Sequence, residues 1–165
     1  MSENNCIEPL VEFGKHILSS TPVHVNKYVN LKPVLEKHSY FQEICYLLYR
    51  QIVKTCSTPD FIVASSRNSI YIASGLLKYF KTADMIILDQ ISPVTKLSNF
   101  SNLEDIKIKR TYAIIEDFCC MGTEIKTVKS VLWSRGVDVD QDCCVFPVVS
   151  TNLYGNRTKD NFESH

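Results

Sequence analysis

The chain has 165 residues, 45% of them hydrophobic and 22% charged, with 18 Lys and Arg balanced by 18 Asp and Glu. A chain of this length buries roughly 70% of its unfolded surface on folding, enough for one full core without disulfides or a structural metal. Zero formal net charge leaves no broad basic field for counterion release, which excludes sequence-independent nucleic-acid binding and electrostatic attachment to an anionic membrane.

Ile7, Leu10 and Val11 predict a short opening helix that ends near Gly14, and Thr21 to Asn30 reads as irregular or short-strand chain. Phe41, Ile44, Cys45, Leu48 and Ile52 follow one helical face and predict a long helix from Val34 to Lys54, stopped before Pro59. The period then changes. Phe61-Ile-Val-Ala is a short apolar run bounded by Pro59-Asp60 and Ser65-Ser66, followed by Ile70, Ala73, Leu77 and Phe80 at helical spacing: a buried strand, a turn and a helix. Met85 to Leu88 gives a second strand. From Asp89 to Arg110 the sequence is polar and aperiodic, and it is read as a mobile loop of functional type. Thr111 to Ile115 forms a third strand, Ile125, Val128 and Leu132 line a helix that ends at Gly136, and Val145 to Val149 gives a fourth strand.

Buried runs alternating with amphipathic helices predict an α/β fold: a mainly parallel sheet of four or five strands flanked by helices. Ligands bind such sheets beyond the carboxyl ends of the strands, which places the site near Ser65, Asp89, Glu116 and Ser150.

The longest run free of Asp, Glu, Lys and Arg, from Cys143 to Asn156, is too short and polar to cross a bilayer. The N-terminus is acidic and polar where a signal peptide would be basic and then apolar, so a cytoplasmic protein is expected. Seven cysteines form no Cys-x-x-Cys pair. Neighbours in an extended chain point to opposite sides, so neither Cys119-Cys120 nor Cys143-Cys144 chelates one ion easily, and reduced, partly buried thiols are expected. His16, His24 and His38 have no spacing that suggests a ligand or a base.

The segment richest in chemistry is Ala113-Ile-Ile-Glu-Asp-Phe-Cys-Cys-Met-Gly-Thr-Glu, an apolar strand ending in two acids and then a short loop feeding a helix. Backbone N–H groups of the loop and first helical turn can cradle a phosphate, Gly122 permits close approach, and Thr123 adds a hydroxyl. Glu116 and Asp117 suit sugar hydroxyls or a divalent cation beside that phosphate.

In this string the sequence resembles the type I phosphoribosyltransferases, whose donor motif has four apolar residues, two acids and a short loop ending in Gly and Thr or Ser. Phe13-Gly through Val29-Asn-Leu makes it most similar to the orotate branch, with a hood segment leading into a long helix. The resemblance covers Phe13 to Val149. It implies one domain over 1–165: a hood at 1–33, an α/β core at 34–150 and a polar tail at 151–165. It also implies phosphoribosyl transfer from phosphoribosyl pyrophosphate to a small-molecule base, with Mg²⁺, in a homodimer; the alternative is a non-catalytic relative that binds the donor or a nucleotide as a sensor or regulator.

Carried over by the resemblance, Glu116 and Asp117 take the ribose, and Cys119, Cys120, Met121, Gly122 and Thr123 wrap the 5-phosphate. Ser65, Ser66, Arg67, Asn68 and Ser69 form the pyrophosphate loop, Arg67 and Lys96 are the catalytic cations, and Asp117 holds the Mg²⁺. The chain also departs from the family. Asn68 and Ser69 stand where glycine is usual, and Glu124 puts a carboxylate beside the phosphate loop. Asp89-Gln90 replaces basic residues after the second core strand, and Ser150-Thr151 occupies the usual place of the orotate-binding arginine. A neutral acceptor base, or no base at all, is expected.

Overall fold

Four apolar runs pair side by side and make the parallel part of one sheet, the central two buried on both faces and the outer two partly buried. The computed structural model describes residues 11–17, 24–91, 94–97, 110–119 and 122–150. In chain order these form β1 (Val11–Ile17), β2 (His24–Val29), α1 (Lys32–Glu36), α2 (His38–Cys56), β3 (Phe61–Ala64), α3 (Arg67–Leu76), β4 (Asp84–Ile91), β5 (Val94–Leu97), β6 (Tyr112–Cys119), α4 (Thr123–Trp133) and β7 (Cys143–Ser150). The sheet order is β5-β4-β3-β6-β7, with β4, β3, β6 and β7 parallel and β5 antiparallel at the edge. The expected α/β fold with four or five strands is therefore present.

Side-chain alternation divides the core into two layers. Ile62, Ala64, Ala113, Ile115 and Phe146 face one side and pack with α2 and α3 through Leu48, Ile52, Ile72 and Leu76. Phe61, Val63, Tyr112 and Ile114 face the other and pack with α4 through Val128 and Leu132. Phe61 and Tyr112 are register partners whose rings stack at 5.1 Å. The adjacent thiols separate as an extended chain requires, Cys143 joining the α4 layer and Cys144 the α2/α3 layer.

Three expectations need correction. First, Gly14 ends no helix: it lies inside β1, which pairs antiparallel with β2 and shifts register between Phe13 and His16. Val11-Glu-Phe alternates with period two, and a glycine is well suited to such a bulge. Second, the helix expected from Val34 to Lys54 is two helices broken at Lys37, whose backbone is extended (φ −91°, ψ 110°). Leu31 and Leu35 of the first segment join the same core as Cys45, Leu48 and Ile52 of the second. Third, the presumed loop from Asp89 to Arg110 contains the end of β4 and all of β5, paired from Leu88↔Leu97 to Ile91↔Val94. Residues 98–109 lie outside the described residues, as do 1–10 and the polar tail from 151.

The helices seat closely where a small residue allows it. A Cβ on Gly75 of α3 would lie 2.5 Å from the ring of Phe41 and 2.7 Å from Cys45 Sγ, both on α2. No helix among the described residues is long and apolar enough to cross a membrane.

Candidate functional site

Strands β3 and β6 are neighbours, yet the helices that follow them cover opposite faces of the sheet. Their carboxyl ends therefore open a crevice, the place where open parallel sheets bind ligands. Into it run Ser65, directly after β3, and the acid pair Glu116-Asp117. The acids are part of β6 rather than beyond its end, since the ladder to β7 continues through Glu116↔Pro147 to Cys119↔Ser150.

Alternation along β6 directs Glu116 to the α4 side and Asp117 to the α3 side. Glu116 is 1% exposed. Its Oε1 accepts a hydrogen bond from Ser65 Oγ at 3.3 Å, while Oε2 is buried with no partner. Burial first, then the carboxylates of Glu124 and Asp117 and a side-chain hydrogen bond with Glu124, push the Glu116 carboxyl up to about 8 against the opposing bond from Ser65. The group is consequently mostly protonated at neutral pH. Asp117 Oδ2 accepts from Asn68 Nδ2 on α3, and Oδ1 from the Phe118 N–H, both at 3.0 Å.

Glu124, the second residue of α4, completes the cluster: one oxygen from each of Glu116, Asp117 and Glu124 lies within 4.8 Å of the others. Two unit negative charges at that separation repel by roughly 3 kcal/mol at an effective dielectric of about 20. Such an arrangement stores negative charge and calls for a proton, a hydroxyl donor or a cation. The role of Glu124 is not evident from the sequence string alone, because it depends on the first turn of α4 leaning back toward β6.

The expected pyrophosphate loop has a structural use of its own. Ser66 caps α3 with Ser69 in a reciprocal box, Ser69 N–H donating to Ser66 Oγ at 3.0 Å. Ser69 Oγ accepts from the N–H groups of Ser65 at 3.2 Å and Ser66 at 2.9 Å. Those two donors already have an oxygen partner inside the chain. Arg67 is the exposed first residue of α3 and makes no ion pair among the described residues. Lys96 is placed in β5, opposite Asp89, rather than in an irregular loop.

Around the expected phosphate cradle, Cys119 ends β6 and Thr123 begins α4, while Cys120 and Met121 lie outside the described residues. Gly122 takes a left-handed conformation, φ 69°, and its carbonyl accepts from the Lys126 N–H at 2.9 Å. Among the described residues no side chain caps α4. Of the four residues expected at strand ends, Ser65 and Glu116 are brought together, whereas Asp89 pairs outward with β5 and Ser150 pairs with Cys119.

No family model matches the chain, and no curated protein matches it in sequence. Solved structures do match, and their fold is that of phosphoribosyltransferases. The adenine phosphoribosyltransferase from Thermoanaerobacter pseudethanolicus aligns at a TM-score of 0.66 and 14% identity, over 93% of this chain and 90% of that one. The orotate phosphoribosyltransferase from Aeropyrum pernix aligns at 0.64 and 14% identity, over 86% of this chain and 88% of that one. A hypoxanthine phosphoribosyltransferase from Staphylococcus aureus reaches 0.53 at 22% identity, over 73% of this chain and 71% of that one. The likeness is one of fold, and it does not single out the orotate branch.

Proposed function

We propose that this chain transfers a phosphoribosyl group from phosphoribosyl pyrophosphate to a nitrogenous base and releases pyrophosphate. The observation that carries this reading is Glu116. It is buried at the carboxyl end of a central parallel strand, and Asp117 and the start of α4, which no described side chain caps, lie beside it. A ribose hydroxyl both donates and accepts, so it suits a buried carboxyl and the Asp117 carboxyl group beside it. The adjacent N–H groups of α4 suit the 5-phosphate.

In this reading Glu116 and Asp117 orient the ribose while the acceptor nitrogen forms its bond to the anomeric carbon. The carbon–oxygen bond to pyrophosphate breaks, and the electron pair leaves on pyrophosphate. Arg67, exposed at the start of α3, and Lys96 are assigned the charge of the leaving group. The all-oxygen donor set fits Mg²⁺, which Asp117 would hold and which neutralises pyrophosphate when bound.

A second reading, binding of the donor or a nucleotide without turnover, draws on Ser69 Oγ occupying the Ser65 and Ser66 N–H groups and on the added carboxylate of Glu124. A pyrophosphate-release assay with adenine, hypoxanthine, uracil and orotate separates the two. Release with at least one base is expected. Saturable donor binding with no release from any base supports the second reading instead.

A further inference from the structure

We propose that the outward face of α2 is a self-association surface, taken by a second copy of this chain that lies antiparallel across a two-fold axis midway between Tyr46 and Leu47. Large apolar side chains are exposed at six positions among the described residues, and four of them, Tyr40, Tyr46, Leu47 and Val53, are on this one helix. Its opposite face, with Cys45, Leu48 and Ile52, is buried in the core, so the four are turned away from the rest of the fold. Leu47 is 55% exposed and Tyr46 48%. One apolar stripe anchors an amphipathic helix to its own domain, and a second, outward one marks a contact surface.

Charge decides which partner fits. Glu43 and Arg50 are exposed on the same face, and neither side chain makes an ion pair or a hydrogen bond among the described residues. Seven residues are about two turns, so the pair stands along the outward line of the helix about 10 Å apart, too far to meet within one chain. The midpoint between Tyr46 and Leu47 is also the midpoint between Glu43 and Arg50. A two-fold axis there sets Glu43 against Arg50 of the second copy, and Arg50 against its Glu43, as an isologous contact requires. The same axis sets Tyr46 beside its own counterpart on one side of the charged line and Leu47 beside its counterpart on the other. A parallel arrangement would place Glu43 on Glu43 and Arg50 on Arg50, and repel.

Association needs no phosphoribosyl donor, so this proposal and the transferase reading can fail separately. A seam built on one helix is at the low end of interface sizes, and a micromolar dimer is expected. The test is sedimentation equilibrium of the full chain from about 5 to 200 µM, with wild type compared with Glu43→Arg, Arg50→Glu and the double exchange Glu43→Arg/Arg50→Glu. Both positions are exposed, and circular dichroism verifies that each variant is folded. Wild type should move from 18.9 kDa toward twice that mass as concentration rises. Each single exchange sets two like-charged pairs across the axis and should weaken the dimer roughly tenfold or more, and the double exchange should restore it to within roughly threefold. Wild type that stays at one chain's mass, as it would if another segment of this chain or a different protein takes the face, overturns the proposal. So does a dimer that the single exchanges leave at wild-type affinity, or a double exchange no tighter than the singles.

Discussion

Asn68 Nδ2 donates to Asp117 Oδ2 at 3.0 Å, tying the first turn of α3 to the carboxyl end of β6 across a sequence separation of 49 residues. The bond fixes one acid of the pair and leaves the other, Glu116, to Ser65 and the α4 side. Asn68→Ala removes a hydrogen bond to a charged group, and a loss of about 1–2 kcal/mol is expected in urea denaturation. The same variant frees the Asp117 carboxylate to reorient, so weaker donor binding should accompany the loss.

Glu116 makes stability depend on pH in a direction opposite to that of an ordinary carboxylate. Its folded-state value is raised to about 8 from 4.5. Between those values the folded state holds a proton that the unfolded state has released, so stability falls as pH rises through this window, by up to about 1.4 kcal/mol per pH unit. Below it the contribution is fully present. Glu116→Gln should flatten the slope, seen as melting temperatures that diverge from wild type toward pH 8.

The contact between α2 and α3 at Gly75 has no space for a methyl group. The methyl group would meet the far end of the partly buried Phe41 ring and the buried Cys45 Sγ, and overpacking of this kind costs about 1–3 kcal/mol against the roughly 1 kcal/mol that alanine gains over glycine in a helix. Gly75→Ala should therefore lower the denaturation midpoint without changing its slope.

Orotate should be a poor acceptor. No arginine lies between Arg135 and Arg157, and an unpaired carboxylate in a closed site costs several kcal/mol. Steady-state rates with orotate and with neutral bases test this, and efficient turnover of orotate alone would contradict it.

Much of this was legible because the parallel strands read as apolar runs: Phe61 to Ala64, Met85 to Leu88 and Val145 to Val149 all lie in strands. The acid pair was legible because it sits inside the string that joins β6 to α4. Less was legible where pairing depends on partners elsewhere in the chain. Val94-Thr-Lys-Leu carries two apolar residues and follows Pro93, and β4 makes it a strand. Gly14 was misleading because a glycine marks a strand bulge as well as it marks a helix end. Ser69 and Glu124 gain their meaning only in three dimensions, one as a hydroxyl accepting loop N–H groups and the other as a third carboxylate.

The central claim is that a phosphoribosyl donor binds against the acids of β6, and calorimetric titration of phosphoribosyl pyrophosphate with Mg²⁺ into wild type and Asp117→Asn tests it most directly. One donor per wild-type chain is predicted, with affinity at least about tenfold weaker in the folded variant, equivalent to roughly 1.4 kcal/mol. Absence of saturable binding to wild type at millimolar donor, or equal affinity in the two proteins, would contradict it.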